Sequence, residues 1–206
     1  MESPLRIGIC VGLLGLLETA CRPHAPAVRD GDLIFQTSRS SQSLAIQRAT
    51  GSPYSHMGLI FVRDGQPYVF EAVATVRLTP LDRWIARGEG HHFVVKRLRN
   101  ADLVLDSNGV NRLHTAALRL AGRPYDLTFE WSDDRIYCSE LVWKAYDRGL
   151  GIDIGALQTL REFNLTDPIV QARMRERYGD SVPLNEPVIS PVAMFRSNLL
   201  VTVAEQ

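Results

Sequence analysis

Three side chains in this sequence have the types needed for nucleophilic catalysis: Cys138, His56 and Glu71. A cysteine thiolate attacks a carbonyl carbon, a histidine takes and returns the proton, and a third polar group orients the histidine. Cys10 lies in an apolar N-terminal run and Cys21 follows that run, which leaves Cys138 alone in the predicted domain. A solitary thiol there makes no internal disulfide, so it indicates either chemistry or an inert buried side chain.

The position of Cys138 along the chain favours chemistry. Apolar residues at helical spacing predict a helix over 138–149, which begins at the cysteine. The dipole and free N–H groups of a first helical turn favour a thiolate and stabilise an oxyanion. We predict Cys138 as the nucleophile and Tyr137 and Ser139 as oxyanion or supporting residues, with packing as the alternative for Tyr137. Glu140 is interpreted as a first-turn carboxylate that complements the dipole.

A β-hairpin is predicted to bring His56 and Glu71 together. Two apolar runs, 57–62 and 68–73, flank a turn at Asp64-Gly65. If the turn centres there, directly paired residue numbers sum to about 129, which makes Glu71 a diagonal neighbour of His56 within side-chain reach. His56 is therefore predicted as the general base and Glu71 as its orienting residue. Taken singly, each has a simpler interpretation, as a turn histidine and as a solvated strand residue.

The rest of the chain predicts one α+β domain. It has 206 residues, of which 45% are hydrophobic and 22% charged, enough for one substantial core. The patterns predict further strands over 32–36, 76–78, 93–98 and 199–203, and helices over 40–49, 80–87, 106–121, 154–162 and 167–178.

The first twenty residues have the order of a secretion signal. Arg6 precedes an apolar run, 7–17, which is followed by Thr19-Ala20-Cys21. We predict a signal over 1–20, a tether over 21–30 and the domain over 31–206. The segment before Cys21 resembles a lipoprotein signal, although Glu18 stands where that pattern has an apolar residue. The expected location is the periplasm or cell envelope, with membrane anchoring through a lipidated Cys21 left open and a buried N-terminal helix as the alternative.

Charge and motifs exclude several other classes of function. The formal net charge is +0 and the basic residues form no stripe, which argues against nucleic-acid binding. His91 and His92 are adjacent and would point to opposite faces of a strand, and His114 has no second ligand one helical turn on. No phosphate-binding glycine loop is present. We therefore expect neither a metal nor a cofactor.

The chain contains the five segments Gly31-Asp32-Leu33-Ile34-Phe35, Tyr54-Ser55-His56-Met57-Gly58, Phe70-Glu71-Ala72, Arg123-Pro124-Tyr125-Asp126 and Tyr137-Cys138-Ser139-Glu140-Leu141. These segments resemble those of the YiiX/YebB-like hydrolases, a circularly permuted branch of the papain-fold, NlpC-type superfamily. The resemblance implies an antiparallel sheet packed against helices, with a nucleophilic cysteine at a helix N-terminus. It also implies permutation, because the strand-borne His56 precedes the helix-borne Cys138, and it assigns Glu71 as the orienting residue.

The resemblance implies an amidase or peptidase that works through an acyl-thioester. Cell-envelope peptides are the leading substrates because the chain is expected to be exported. Hydrolysis or transfer of lipid acyl groups is the alternative, and a non-catalytic envelope binding module is the second. An apolar cleft would favour lipid, whereas a polar groove would favour peptide. Oligomeric state and the bond that is cleaved are left open by the sequence.

Overall fold

A six-stranded antiparallel sheet forms the centre of the protein, whose computed structural model describes residues 27–206. The strand order is β4-β3-β2-β1-β5-β8, and β6 and β7 form a separate two-stranded sheet. The strands are β1 (Leu33–Gln36), β2 (His56–Arg63), β3 (Gln66–Ala72), β4 (Val76–Pro80), β5 (Val94–Leu98), β6 (Gln158–Thr159), β7 (Pro187–Val188) and β8 (Leu200–Glu205). The helices are α1 (Ser43–Thr50), α2 (Leu81–Ala86), α3 (Ala101–Val104), α4 (Ser107–Leu118), α5 (Cys138–Leu150), α6 (Pro168–Tyr178) and α7 (Pro191–Phe195).

The β2–β3 hairpin has the predicted register. Leu59 pairs with Phe70, and Arg63 pairs with Gln66 next to the turn. Asp64 and Gly65 both have left-handed backbone angles, with φ of 50° and 73°. Two such residues in succession match the twist of a tight hairpin, and Asp-Gly tolerates them well. The local sequence therefore fixes which residues of the two strands face each other.

The helix that carries Cys138 packs across one face of this sheet. α5 contacts α4 along its length and lies against β2 and β3. Its apolar residues Leu141, Val142, Ala145 and Tyr146 have no exposed surface, as predicted from their spacing. Burial of each Leu or Val of this kind contributes roughly 1.5–3 kcal/mol. The opposite face of the sheet is covered by α2, whose Trp84 is fully buried.

The prediction of a helix over 154–162 is wrong. This segment contains the short strand β6 followed by a single 3-10 turn at Leu160–Glu162. Gly155 has a φ of 82°, and a Cβ there would lie 2.9 Å from the backbone of Ala193. The chain at this point is thus shaped by close contact with α7, a short helix that the sequence analysis did not predict. The other predicted elements appear within a few residues of their expected bounds.

The predicted signal and the lipidation position Cys21 lie outside the described residues. The last part of the predicted tether is described, and Asp30 there accepts hydrogen bonds from the backbone N–H of Val62 and from His114. Among residues 27–206, none of the helices combines the length and apolar character that crossing a membrane requires.

Candidate active site

His56 and Glu71 form a buried pair at the end of the β2–β3 hairpin. His56 is the first residue of β2, and its Nε2 lies 2.7 Å from Oε2 of Glu71 on β3. Glu71 has no exposed surface. Its other oxygen, Oε1, accepts hydrogen bonds from the Thr79 hydroxyl at 2.6 Å and the Arg87 guanidinium at 2.5 Å. The carboxylate is therefore held from two sides while it faces the imidazole.

The pKa values of this pair favour opposite charges. Burial alone would raise the pKa of Glu71, but hydrogen bonds from His56 and Thr79 and the charge of Arg87 bring it below its usual value. Burial alone would lower the pKa of His56, but its interaction with Cys138 and its hydrogen bond with Glu71 raise it to about 9. An ionised carboxylate beside an imidazolium is the charge state that this arrangement stabilises.

Cys138 is placed beside His56 at the N-terminus of α5. It is the first residue of the helix, and its surface is 2% exposed. Because Nε2 of His56 contacts Glu71, the ring nitrogen left for the thiol is Nδ1. The structure thus brings together the three predicted site residues, in the order thiol, imidazole, carboxylate. This is the arrangement required for proton transfer from a nucleophile to an oriented base.

Glu140 lies inside the protein as part of an ion-pair network, which the sequence analysis did not foresee. Its carboxylate is fully buried, and Oε1 lies 2.7 Å from Nζ of Lys144 one turn along α5. Lys144 also contacts Asp133 at 2.9 Å and the carbonyl of Ser132 at 2.6 Å. Burial raises the pKa of Glu140 to about 7 despite the neighbouring Lys144. Through Lys144, this network connects the loop before α5, at Ser132 and Asp133, to the helix that carries Cys138.

Tyr137 and Ser139, predicted as oxyanion or supporting residues, both bind the peptide groups of Ile189. The Tyr137 hydroxyl accepts from the Ile189 N–H at 3.1 Å, and the Ser139 hydroxyl donates to the Ile189 carbonyl at 2.8 Å. A serine has one hydroxyl proton, and that of Ser139 is used here. Both side chains thus hold the segment before α7 against the start of α5, as a supporting role requires, while the proton of the Tyr137 hydroxyl is not used in this contact.

Tyr125 is a residue at the site to which the sequence analysis gave no role. Burial raises its pKa well above its usual value, and the charge of nearby Cys138 raises it further. Its hydroxyl oxygen accepts a hydrogen bond from Gln42 at 3.3 Å. The segment Arg123-Pro124-Tyr125-Asp126 was among the matching segments, which is the signal that could have singled out this tyrosine.

Two cavities meet at this cluster, and they differ in chemical character. Both are lined by Gln42, Ile46 and Tyr125, but Cys138 lines the first and His56 the second. The apolar cavity beside Cys138 is enclosed by α1, α6 and the segment before α7, with walls that include Ile46, Phe163, Leu165, Val170, Met174 and Val188. The second cavity, beside His56, is the more polar of the two and is called the polar cavity below. Its lining combines apolar residues such as Ala72, Val73 and Leu127 with the polar residues Gln36, Ser38, Arg39, Ser41, Ser55 and Arg87.

The fold and the cluster define a class of protein. An antiparallel sheet against a helix that begins at a cysteine is the papain-like arrangement, and the strand-borne histidine here precedes that cysteine in the chain. A crystal structure described as metalloprotein yiiX from Escherichia coli O157:H7 has a TM-score of 0.83 and 51% identity, over 86% of this chain and 97% of that chain. The permuted papain-like fold expected from the sequence is therefore confirmed.

The chain belongs to the family described as "Permuted papain-like amidase enzyme, YaeF/YiiX", whose model matches residues 27–204. It is similar to the uncharacterized protein YiiX of Escherichia coli K12, with 51% identity over 176 residues, 85% of this chain and 86% of that protein. Membership makes it a cysteine hydrolase of the amidase type. Within residues 27–206, no three His, Cys, Asp or Glu side chains are grouped so that they could hold a metal ion.

Proposed function

We propose that this chain is an exported thiol amidase that cleaves amide or peptide bonds, with Cys138 as nucleophile, His56 as general base and Glu71 as the orienting residue. The observation that carries the proposal is the buried His56, held between the Glu71 carboxylate and the thiol at the start of α5. Its raised pKa keeps a proton on the imidazole, which is the proton that an amide leaving group needs.

The proposed reaction has two stages. The Cys138 thiolate attacks the carbonyl carbon and forms a C–S bond, and the His56 imidazolium then gives its proton to the leaving nitrogen as the C–N bond breaks. This releases an amine and leaves an acyl-thioester. A water molecule then attacks the thioester while His56 removes its proton, which releases the acid and returns the thiolate and the imidazolium.

Two kinds of donor are proposed for the developing oxyanion. The first are the backbone N–H groups in the first turn of α5, which have no partners within the helix. The second is the Tyr125 hydroxyl, whose oxygen already accepts from Gln42 and whose own proton is therefore available to donate. Preorganised donors of this kind each contribute about 10²–10³-fold to turnover in acyl transfer.

Reactivity of the thiol tests the assignment directly. We expect an alkyne-tagged iodoacetamide to label Cys138 in the full chain at pH 7. Replacing His56 with Ala should slow that labelling by about tenfold or more, because the base that takes the proton of the thiol is lost. Because Cys10 and Cys21 can also react, the labelled site is mapped by peptide mass spectrometry.

The matched controls are Cys138→Ala and His91→Ala. Cys138→Ala should lose the labelled peptide altogether, and His91→Ala should label at the wild-type rate because His91 is exposed and outside the cluster. Equal labelling rates in wild type and His56→Ala would contradict the assignment of His56 as the base. An unlabelled Cys138 under reducing conditions would contradict the proposal as a whole and favour a non-catalytic binding module.

A second candidate function, hydrolysis or transfer of lipid acyl groups, is favoured by the apolar cavity beside Cys138. In an acyl-thioester the acyl part remains attached to the cysteine, so the cavity that Cys138 lines is the natural place for that part. The walls of this cavity are mostly apolar, with Val170 and Met174 on α6 among them, although Arg173 and Arg177 of the same helix also line it. Each additional CH₂ buried there would contribute about 0.8 kcal/mol to binding.

Chain length discriminates between the two candidates. We compare amides of alanine that carry acetyl or dodecanoyl groups with an envelope-derived tetrapeptide. If the apolar cavity binds acyl chains, kcat/KM should rise by at least about tenfold from acetyl to dodecanoyl, and Met174→Glu should remove that gain without changing iodoacetamide labelling of Cys138. Faster cleavage of the tetrapeptide, or equal rates for the two acyl lengths, would favour the peptidase.

Export and membrane anchoring are proposed from the sequence of residues 1–21 alone. Fractionation of cells that express the full chain and its Cys21→Ala variant tests both. Recovery of the full chain in the cytoplasm would contradict export. Equal membrane recovery of the two forms would contradict anchoring through Cys21.

A further inference from the structure

We infer that the polar cavity beside His56 binds an anionic group, a carboxylate or phosphate, on the leaving amine of the substrate, and that Arg39 provides the recognising charge. This inference rests on the proposed function, because it takes Cys138 and His56 as the reacting pair. It goes beyond that function by specifying the leaving part of the substrate as an amine that also carries an acid.

The positions of the two cavities identify the leaving-group side. A general acid must lie within hydrogen-bond reach of the atom that it protonates. For amide cleavage that atom is the leaving nitrogen, and the proposed acid is His56. Since His56 lines the polar cavity and Cys138 the apolar one, the leaving amine lies toward the polar cavity and the acyl part toward the apolar one.

The charges around the polar cavity favour an anion. Among residues 27–206, no Asp or Glu lines it, whereas Arg39 and Arg87 do. The charge of Arg87 is already balanced by Glu71, although part of its guanidinium remains exposed. Arg39 is exposed and forms no ion pair with any other described residue. The cavity therefore carries an uncompensated positive charge on a side chain suited to binding carboxylate or phosphate.

A buried amide lies beside His56 in the wall of the polar cavity. Gln36 pairs with His56 across β1 and β2, and its side chain lines the same cavity. Its surface is only 1% exposed, and its Oε1 has no hydrogen-bond partner among the described residues. A buried acceptor without a partner costs about 1–3 kcal/mol. That oxygen lies against Gly88, where an added Cβ would come within 2.4 Å of it, so Arg39 rather than Gln36 is the group that recognises the acid.

Alkylation of Cys138 by an anionic and by a neutral reagent tests the positive charge of the polar cavity without a known substrate. Iodoacetate and iodoacetamide react identically: the thiolate sulfur attacks the CH₂ carbon and iodide leaves, but only iodoacetate is anionic. We measure the ratio of the two rates at Cys138 in the full chain, normalised to the same ratio for free cysteine. Arg39→Gln should lower the ratio by about threefold, and Arg39→Glu should lower it further.

Arg63→Gln is the matched control. Arg63 is exposed at the far end of β2, roughly 23 Å along the strand from His56, which is beyond the screening length of about 10 Å at 0.1 M salt. This variant should keep the wild-type ratio, and Arg39→Lys should retain most of it. Equal ratios in wild type and Arg39→Gln would overturn the inference. If neither reagent alkylates Cys138 in the wild type, the proposed function fails instead.

Protection by anions identifies which kind of acid is bound. Acetate and inorganic phosphate are added separately while iodoacetamide alkylates Cys138. The anion that slows alkylation at the lower concentration shows whether the cavity binds a carboxylate or a phosphate. We expect this protection to weaken in Arg39→Gln. Absence of protection by either anion, or equal protection in wild type and Arg39→Gln, would contradict binding at this cavity.

Discussion

Replacing Glu71 with Gln should lower the rate of amide hydrolysis by about 10³–10⁴-fold. Oε1 of Glu71 accepts from Thr79 and Arg87, so the amide oxygen of the new side chain would stay with those donors. Its NH₂ group would then face Nε2 of His56 and donate to it. The imidazole would then keep its only proton on Nδ1, the nitrogen left for the thiol, where it cannot accept the Cys138 proton, and no carboxylate would be present to stabilise the imidazolium.

The measurement is single-turnover hydrolysis of whichever alanine amide or tetrapeptide the wild type cleaves fastest. Glu89→Gln is the matched control, because Glu89 is exposed and outside the cluster, and it should hydrolyse at the wild-type rate. Thr79→Val removes one of the hydrogen bonds to Glu71 without changing its charge, so a loss of no more than about tenfold is expected. A Glu71→Gln enzyme as active as Glu89→Gln would show that the carboxylate does not orient His56.

The parts of the site that could be predicted from sequence are those set by local geometry. The Asp64-Gly65 turn fixes the hairpin register, and the register brings His56 and Glu71 together. The start of α5 at Cys138 follows from helical spacing that begins there. A turn type and a helix start depend on a few neighbouring residues, so one sequence carries enough information to specify them.

The parts that could not be predicted depend on contacts between distant segments. Arg87 reaches Glu71 from the end of α2, and Lys144 binds Asp133 in a loop that precedes its helix. Hydrophobic patterning does not indicate which polar side chain will meet which. The prediction of a helix over 154–162 was wrong for the same reason, because the conformation of Gly155 depends on its contact with α7.

Titration of His56 should show the coupling of the site as a large pKa shift. Contacts with Cys138 and Glu71 raise the pKa from 6.5 to about 9. Because the pKa of His56 is higher in the folded than in the unfolded protein, the contacts of the imidazolium with Cys138 and Glu71 stabilise the fold. This stabilisation is complete below pH 6.5 and is lost as the pH rises through about 9. Removing the thiol should therefore lower the pKa and reduce the stability gained at neutral pH.

The central claim, that Cys138, His56 and Glu71 act as one proton-transferring unit, is tested most directly by NMR titration of the His56 imidazole in wild type and Cys138→Ala. The His56 signals are assigned by their absence in His56→Ala. The account predicts a midpoint near pH 9 in the wild type and a clear decrease toward 6.5 in Cys138→Ala. A wild-type midpoint near 6.5, or the same midpoint in both proteins, would contradict it.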